Sequence, residues 1–352
     1  LLFHCQYAAI QTLPERPFIK LTTNKSLSSH RAKITPWKSI IPLSKLKPSR
    51  IVLHCGLHKT GTSYFQLNCR KNRNILQENR VLYIGPRTLK FDLVELWQHI
   101  DTGSDRVPRE LQKNTRKILN KLCEGNEEMI DTILISCEAI FGTLHFGLFH
   151  NPDISLPSKE NGEDTKGLYR YAETRTRRLM QVLENSLKSA SIQWQIIFIT
   201  RNEDEFIRSC HNQYVKEGNH LPSSASLNSF LETRDFSFAE KITLMSSLSK
   251  INDRLSEKTI TQRSIEIIQL EYELVSNNQQ LQQYFWNLLN AMLPEQAKNL
   301  STDPRLKISN KNPNPRLNER GLDLAIKCHT FFTEEEWKLF RRFLERNFSG
   351  TN

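Results

Sequence analysis

The stretch Ile51-Val52-Leu53-His54-Cys55-Gly56-Leu57-His58-Lys59-Thr60-Gly61-Thr62-Ser63 decides how the rest of the chain is read. Ile51 to Leu53 are apolar and read as a short buried strand. A turn containing Gly56 and Gly61 follows, carrying Lys59 and the hydroxyls of Thr60, Thr62 and Ser63. From Thr62 the pattern becomes helical. A strand, a glycine-containing loop and a helix start make an anion cradle. Loop N–H groups and the positive end of the helix dipole point at one place, and lysine adds a full charge.

Working outward, Thr62–Asn79 reads as one helix and Val81–Ile84 as a strand stopped by Gly85-Pro86. Residues 92–126 read as mostly helical, with Leu111, Ile118, Leu119 and Leu122 at helical spacing. Ile130–Ser136 is an apolar strand that delivers Cys137 and Glu138 at its end. Residues 151–166 form a polar loop that is long for a compact domain. A basic helix follows over 167–190, then the strand Trp194–Thr200 with Arg201 at its end and a helix over Glu203–Lys216. Helices are also expected over Ser226–Leu231, Phe238–Leu255, 277–293, Glu319–Lys327 and Glu334–Phe348, with a strand over Ser264–Leu270. The proline- and asparagine-rich stretch 294–318 reads as irregular. Apolar strands separated by helices imply an α/β domain with a parallel sheet covered on both faces. Ligands of such sheets sit beyond the carboxyl ends of the strands. If the strands leading to Lys59, Glu138 and Arg201 are neighbours, those groups converge at one edge.

Charge and composition narrow the function classes. The net charge is +11, but residues 1–50 hold nine Lys/Arg and one acid, Glu15, so the other 302 residues carry only +3. A uniformly basic nucleic-acid binder is a poor reading of such a core. No apolar run reaches the length of a membrane span. The seven cysteines are scattered without CxxC spacing, which suggests neither a zinc ribbon nor a disulfide framework and favours reduced thiols in the cytoplasm. Residues 1–50 are basic, hydroxyl-rich and acid-poor, and read as a disordered extension or a targeting leader, with the domain over 51–348.

The loop differs from the NTPase pattern G-x-x-x-x-G-K-[ST]. Here the order is Gly56-x-x-Lys59-Thr60-Gly61-Thr62, so lysine precedes the second glycine. No strand ends in an obvious magnesium-binding Asp. The cradle suits a phosphate-like group and argues against ATP or GTP hydrolysis. A second anion site is suggested by Arg201 at a strand end with Ser209 about two helical turns on, a pair that can pinch one phosphate. A ligand phosphorylated at two separated positions would fill both sites.

These two segments resemble a known family. L-H-C-G-L-H-K-T-G-T-S is similar to the 5′-phosphosulfate loop of sulfotransferases that use 3′-phosphoadenosine 5′-phosphosulfate (PAPS), in the K-T-G-T form of carbohydrate and bacterial-type members. I-I-F-I-T-R-N-E-D-E-F-I-R-S resembles the 3′-phosphate segment, including the Arg-to-Ser spacing of eight. The strand LISCE at 134–138 and SIEIIQLEYEL at 264–274 resemble family segments more weakly, and the likeness runs over residues 51–345. The glycine-rich C-terminal PAPS loop of cytosolic small-molecule sulfotransferases is not visible, and 305–320 stands in its place.

The resemblance implies a P-loop NTPase-like three-layer fold and transfer of a sulfonyl group to a hydroxyl or amine of a carbohydrate acceptor, neutral or anionic. His58, Lys59, Thr60, Gly61, Thr62 and Ser63 would border and hold the 5′-phosphosulfate, and Arg201 and Ser209 the 3′-phosphate. Lys59 would stabilise charge on the bridging oxygen. Glu138 is the first candidate for general base and His145 the second. The chemistry calls for no metal, since a sulfonyl group carries less charge than a phosphoryl group. A bacterial-type member is expected in the cytoplasm, a eukaryotic one on a Golgi anchor.

Plainer readings stand beside these. Glu138 can equally be a buried acid paired with an arginine or capping a helix. His54 and His145 fit packing or capping, and Glu271 and Glu273 structural roles. The Arg170–Arg178 cluster fits a solvated helix face ahead of a groove for anionic glycan. Competing functions are a small-molecule kinase and a non-catalytic nucleotide-binding module.

Overall fold

The computed structural model describes residues 46–144, 168–188, 192–218, 225–232, 241–256, 265–276 and 281–350. In chain order these form β1 (Leu46–His54), α1 (Thr62–Lys71), α2 (Arg73–Glu78), β2 (Val81–Ile84), a π-helical turn (Thr88–Asp92), α3 (Val94–Thr102) and α4 (Arg109–Leu122). There follow β3 (Ile130–Ser136), a 3₁₀ turn (Glu138–Ile140), α5 (Ala172–Leu187), β4 (Gln193–Thr200), α6 (Glu203–Glu217), α7 (Leu227–Glu232), α8 (Lys241–Ser256) and β5 (Ile265–Glu271). The chain closes with α9 (Tyr272–Val275), α10 (Leu281–Met292), α11 (Pro294–Ser301), α12 (Glu319–Cys328), a second 3₁₀ turn (His329–Phe331) and α13 (Glu334–Asn347).

The five strands pair in the order β2-β3-β1-β4-β5, every pair parallel. Alternation along the strands explains why the sheet is buried on both faces. Ile51, Leu53, Ile133, Ile135, Ile196 and Phe198 face one apolar cluster, with Leu96, Leu119 and Leu179 from the helices. Val52, Leu134, Ile197 and Ile199 face the other, with Phe65, Phe285 and Leu288. Runs of β-branched and large apolar residues on both faces are what a helix-covered parallel sheet requires. The expected neighbours are neighbours: β3, β1 and β4 are consecutive, so the ends that carry Glu138, the Lys59 loop and Arg201 lie side by side.

Several expectations shift. β1 opens at Leu46, five residues before Ile51 and inside the segment read as a leader; its register against β3 is irregular between Leu46 and Arg50. The helix expected over Thr62–Asn79 is two helices. Asn72 breaks it by turning its amide to the backbone of Lys307, donating to the carbonyl at 3.1 Å and accepting from the N–H at 2.9 Å. Within the stretch read as irregular, Pro294 starts α11 from the first helical turn, where its missing N–H costs nothing. Residues 1–45 and the loop 151–166 lie outside the described residues, as does His145. No helix among the described residues is long and apolar enough to cross a membrane.

Candidate functional site

The loop after β1 is held in shape from beneath. Lys59 and Gly61 both adopt left-handed backbone, with φ of 67° and 81°. Thr60 between them is fully buried; its hydroxyl donates to the Leu57 carbonyl at 2.5 Å and its carbonyl accepts from the Tyr284 hydroxyl at 2.6 Å. The Thr60 side chain, expected at the ligand, is therefore spent on the loop itself. Tyr169 buttresses the other side, its hydroxyl accepting from the His58 N–H at 3.0 Å. The His58 ring is committed as well, hydrogen-bonding the Gly142 carbonyl at 3.0 Å and stacking on Tyr169. It borders the loop without aiming into it.

What the loop offers is backbone and charge. Gly61 caps α1, and the N–H groups of Gly61, Thr62 and Ser63 find no acceptor among the described residues. The buried Thr62 hydroxyl is also without a partner there. Ser63 is exposed in the first turn of α1. First-turn amides of a helix are unsatisfied by construction and carry the positive end of its dipole. Lys59 Nζ donates to Gln213 Oε1 at 3.3 Å, and burial pulls its pKa down to about 8. A lysine poised this way is stabilised by an arriving anion.

A Cβ on Gly61 would lie 2.9 Å from Tyr284 Cζ, on a backbone already in the left-handed region. Gly61→Ala should cost about 2 kcal/mol and displace either the loop or Tyr284. A thermal melt gives the cost; an unchanged midpoint would show that Gly61 is not pinned.

Arg201 follows β4. Its Nη1 donates to the Lys59 carbonyl at 2.9 Å, its Nη2 to Glu205 Oε2 at 3.2 Å, and its guanidinium lies over the Tyr272 ring. Arg201 thus touches the loop directly, so the two segments expected to form separate anion sites border each other. Ser209 is buried on α6, one turn after Glu205 on the same helix face. Glu138 sits in the 3₁₀ turn after β3, where its Oε2 accepts from Gln66 Nε2 at 2.7 Å. Burial above all, and to a lesser degree the Glu138 charge, holds the hydroxyls of Tyr169 and Tyr284, which brace the loop, well above the usual phenol range. No arginine pairs with Glu138 among the described residues; its neighbour is a neutral amide.

His54 is buried beside Ser136, Nδ1 to Oγ 2.9 Å, and burial drives its pKa down to about 3, so it packs as a neutral ring against Phe65. Glu273 accepts from the Asn202 N–H at 3.0 Å, which makes it a brace for the turn after Arg201. The basic helix is not a solvated face. Arg177 is buried between Glu173 and Asp105, Arg178 reaches the Ile100 and Asp101 carbonyls, and Arg175 pairs with Asp101 and donates to the Ala139 carbonyl.

Sequence reasoning missed the third wall. Residues 302–318 cross from α1 to α6 as an irregular strap. Tyr64 and Asn68 on successive turns of α1, and Asn72 at its C-terminal cap, hydrogen-bond the backbone of Ser309 and Lys307. On α6, Asn212 bonds both the N–H and the carbonyl of Leu317, and Lys216 donates to Asn314 Oδ1 and the Pro315 carbonyl. The strap brings Asn314 to Gln213 at 3.3 Å and Arg316 to Glu205 at 3.1 Å. The polar i, i+4 spacing of Asn68/Asn72 and Asn212/Lys216 is the signal that marks these faces in the sequence.

Comparison with family models, with characterised proteins and with solved structures returns no match for this chain.

Proposed function

We propose that the chain is a sulfotransferase of P-loop type that moves a sulfonyl group from PAPS to a hydroxyl or amine of a carbohydrate acceptor. The observation that carries the reading is the convergence of the Lys59 loop, Arg201 and Glu138 at the carboxyl ends of three adjacent parallel strands. The donor set fits a bisphosphorylated nucleotide. Unspent amides at Gly61, Thr62 and Ser63 and a partly desolvated lysine suit one phosphate, and Arg201 with Ser209 suits another.

PAPS supplies an activated sulfonyl group on a phosphate that departs as adenosine 3′,5′-bisphosphate. Lys59 and the loop amides bind the 5′ end and stabilise charge growing on the departing oxygen. Arg201 and Ser209 hold the 3′-phosphate. Glu138 takes the acceptor's proton, with Gln66 orienting its carboxylate. The K-T-G-T resemblance supports a carbohydrate acceptor over a small apolar one.

Calorimetric titration of the full chain tests the nucleotide assignment. Adenosine 3′,5′-bisphosphate should bind at least about tenfold tighter than ATP, with or without magnesium. Magnesium-dependent preference for ATP would instead establish the kinase reading. Transfer of labelled sulfate from PAPS to a glycan panel separates enzyme from binder. In that assay Glu138→Gln should lower the rate roughly 10²–10⁴-fold, with bisphosphate affinity unchanged. A wild-type rate would return the base to His145.

A further inference from the structure

Two arginines from distant parts of the chain share one carboxylate oxygen. Arg201 Nη2 and Arg316 Nη1 lie 3.2 and 3.1 Å from Glu205 Oε2. Each arginine is held in place independently of that contact. Arg201 is fixed by the Lys59 carbonyl and by the Tyr272 ring. Arg316 sits on the strap between two anchors, Asn212 on Leu317 and Lys216 on Asn314 and Pro315. Lys216 is only 2% exposed and paired with Glu345 at 2.8 Å, so that anchor is itself part of the core.

Two guanidiniums brought to one point repel each other, and a carboxylate between them relieves the repulsion. Glu205 does this at the least cost to remove. Its side chain is 42% exposed, it stands in the first turn of α6, and the turn is capped by Asn202, whose Oδ1 accepts from the Glu205 N–H. The carboxylate can therefore leave for water without disturbing the helix start. Donors also remain unspent: Arg201 Nε is buried and without an acceptor among the described residues. The Ser209 hydroxyl is one turn along the same face. A carboxylate brings one charge and two oxygens. A phosphate monoester brings about −1.5 to −2 and three oxygens, and arginine forks match it better.

We propose that Glu205 is an internal counter-anion: it occupies a two-arginine phosphate site formed by Arg201 and Arg316, and yields it to a phosphate monoester. The inference rests on the bisphosphate reading above and adds Arg316 and Glu205 to Arg201 and Ser209. It has a kinetic purpose. Donor and product carry the same 3′-phosphate, so a site without a competitor would retain product. Glu205 re-engages the arginines as the phosphate leaves and shortens that residence.

The test measures affinity and dissociation rate of the full chain for adenosine 3′,5′-bisphosphate, AMP and inorganic phosphate. Glu205→Gln keeps the side-chain size and the Asn202 cap. It should bind the bisphosphate about tenfold tighter, mainly through slower dissociation, with AMP affinity unchanged. Arg316→Ala should bind the bisphosphate about tenfold more weakly, again sparing AMP. If Glu205→Gln binds the bisphosphate and inorganic phosphate no tighter than wild type, or more weakly, the carboxylate positions the arginines and the counter-anion role is overturned. If wild type ignores the bisphosphate but Glu205→Gln gains affinity for inorganic phosphate, the two-arginine site stands and the nucleotide reading falls.

Discussion

Lys59→Ala should reduce sulfonyl transfer roughly 10²–10³-fold, the range seen when one preorganised charge stabiliser is removed, while the protein still folds. The fold should tolerate the change for three reasons. Lys59 lies in left-handed backbone, which alanine adopts no less readily than lysine. Gln213 Oε1, which loses the ammonium, keeps a donor in Asn314 Nδ2. The lysine is also a poor contributor to stability, because burial lowers its pKa to about 8. A lysine whose folded pKa lies below its unfolded value costs stability while charged, and that cost fades as pH rises from about 8 toward the ordinary lysine range. The variant should therefore melt no lower than wild type at neutral pH. The same depression sets a pH limb for the reaction. Charged Lys59 is lost as pH climbs through about 8, so wild-type transfer in the regime of low PAPS should fall there. A bound phosphate raises the pKa again, so binding above that pH should take up a proton, visible as a buffer-dependent calorimetric enthalpy. Lys59→Ala should lose both signatures. Wild-type transfer by a folded Lys59→Ala protein would remove Lys59 from the chemistry.

The sheet was legible because its residues answer to a local rule. Ile51 to Leu53, Ile133 to Ile135 and Ile196 to Ile199 are apolar on both faces, and only a strand between two helical layers buries both. The loop was legible because glycine at 61 accepts the φ of 81° that other residues resist. The strap was not. Residues 302–318 are anchored by partners, Tyr64, Asn72, Asn212 and Lys216, that stand 98 to 245 positions away in the chain. Prolines and asparagines there mark irregular backbone without saying what it lies against. The roles of single polar groups were equally hidden. Thr60 looks like its neighbours Thr62 and Ser63 in the sequence, yet its hydroxyl turns back to Leu57 while that of Thr62 finds no partner among the described residues. Four arginines read as one helix suggest a charged surface, but Asp101 and Asp105, 72 to 77 positions earlier in the chain, engage three of them. Whether a charge is solvated depends on what the fold places opposite it, and no helical period carries that information.

Arg201→Ala should weaken adenosine 3′,5′-bisphosphate roughly 10²-fold, since a charge-assisted contact to phosphate is lost along with its geometry. The arginine has two separable jobs. It faces the proposed 3′-phosphate with Ser209, and it braces the loop through the Lys59 carbonyl. If bracing were its whole role, the variant would loosen the 5′ cradle and AMP would weaken as much as the bisphosphate. If Arg201 binds the 3′-phosphate, the bisphosphate should lose far more than AMP, and the ratio of the two affinities should collapse. Ser209→Ala is the matched control, because Ser209 stands on α6 with no hydrogen bond to the loop among the described residues, and it should lower only the bisphosphate, by about tenfold or less. Arg201→Lys should fall between wild type and alanine. An ammonium keeps the charge but loses the fork that lets one side chain reach Lys59, Glu205 and a phosphate together. Equal losses for AMP and bisphosphate in Arg201→Ala would reduce Arg201 to a loop brace, and unchanged affinity for both would remove it from the site.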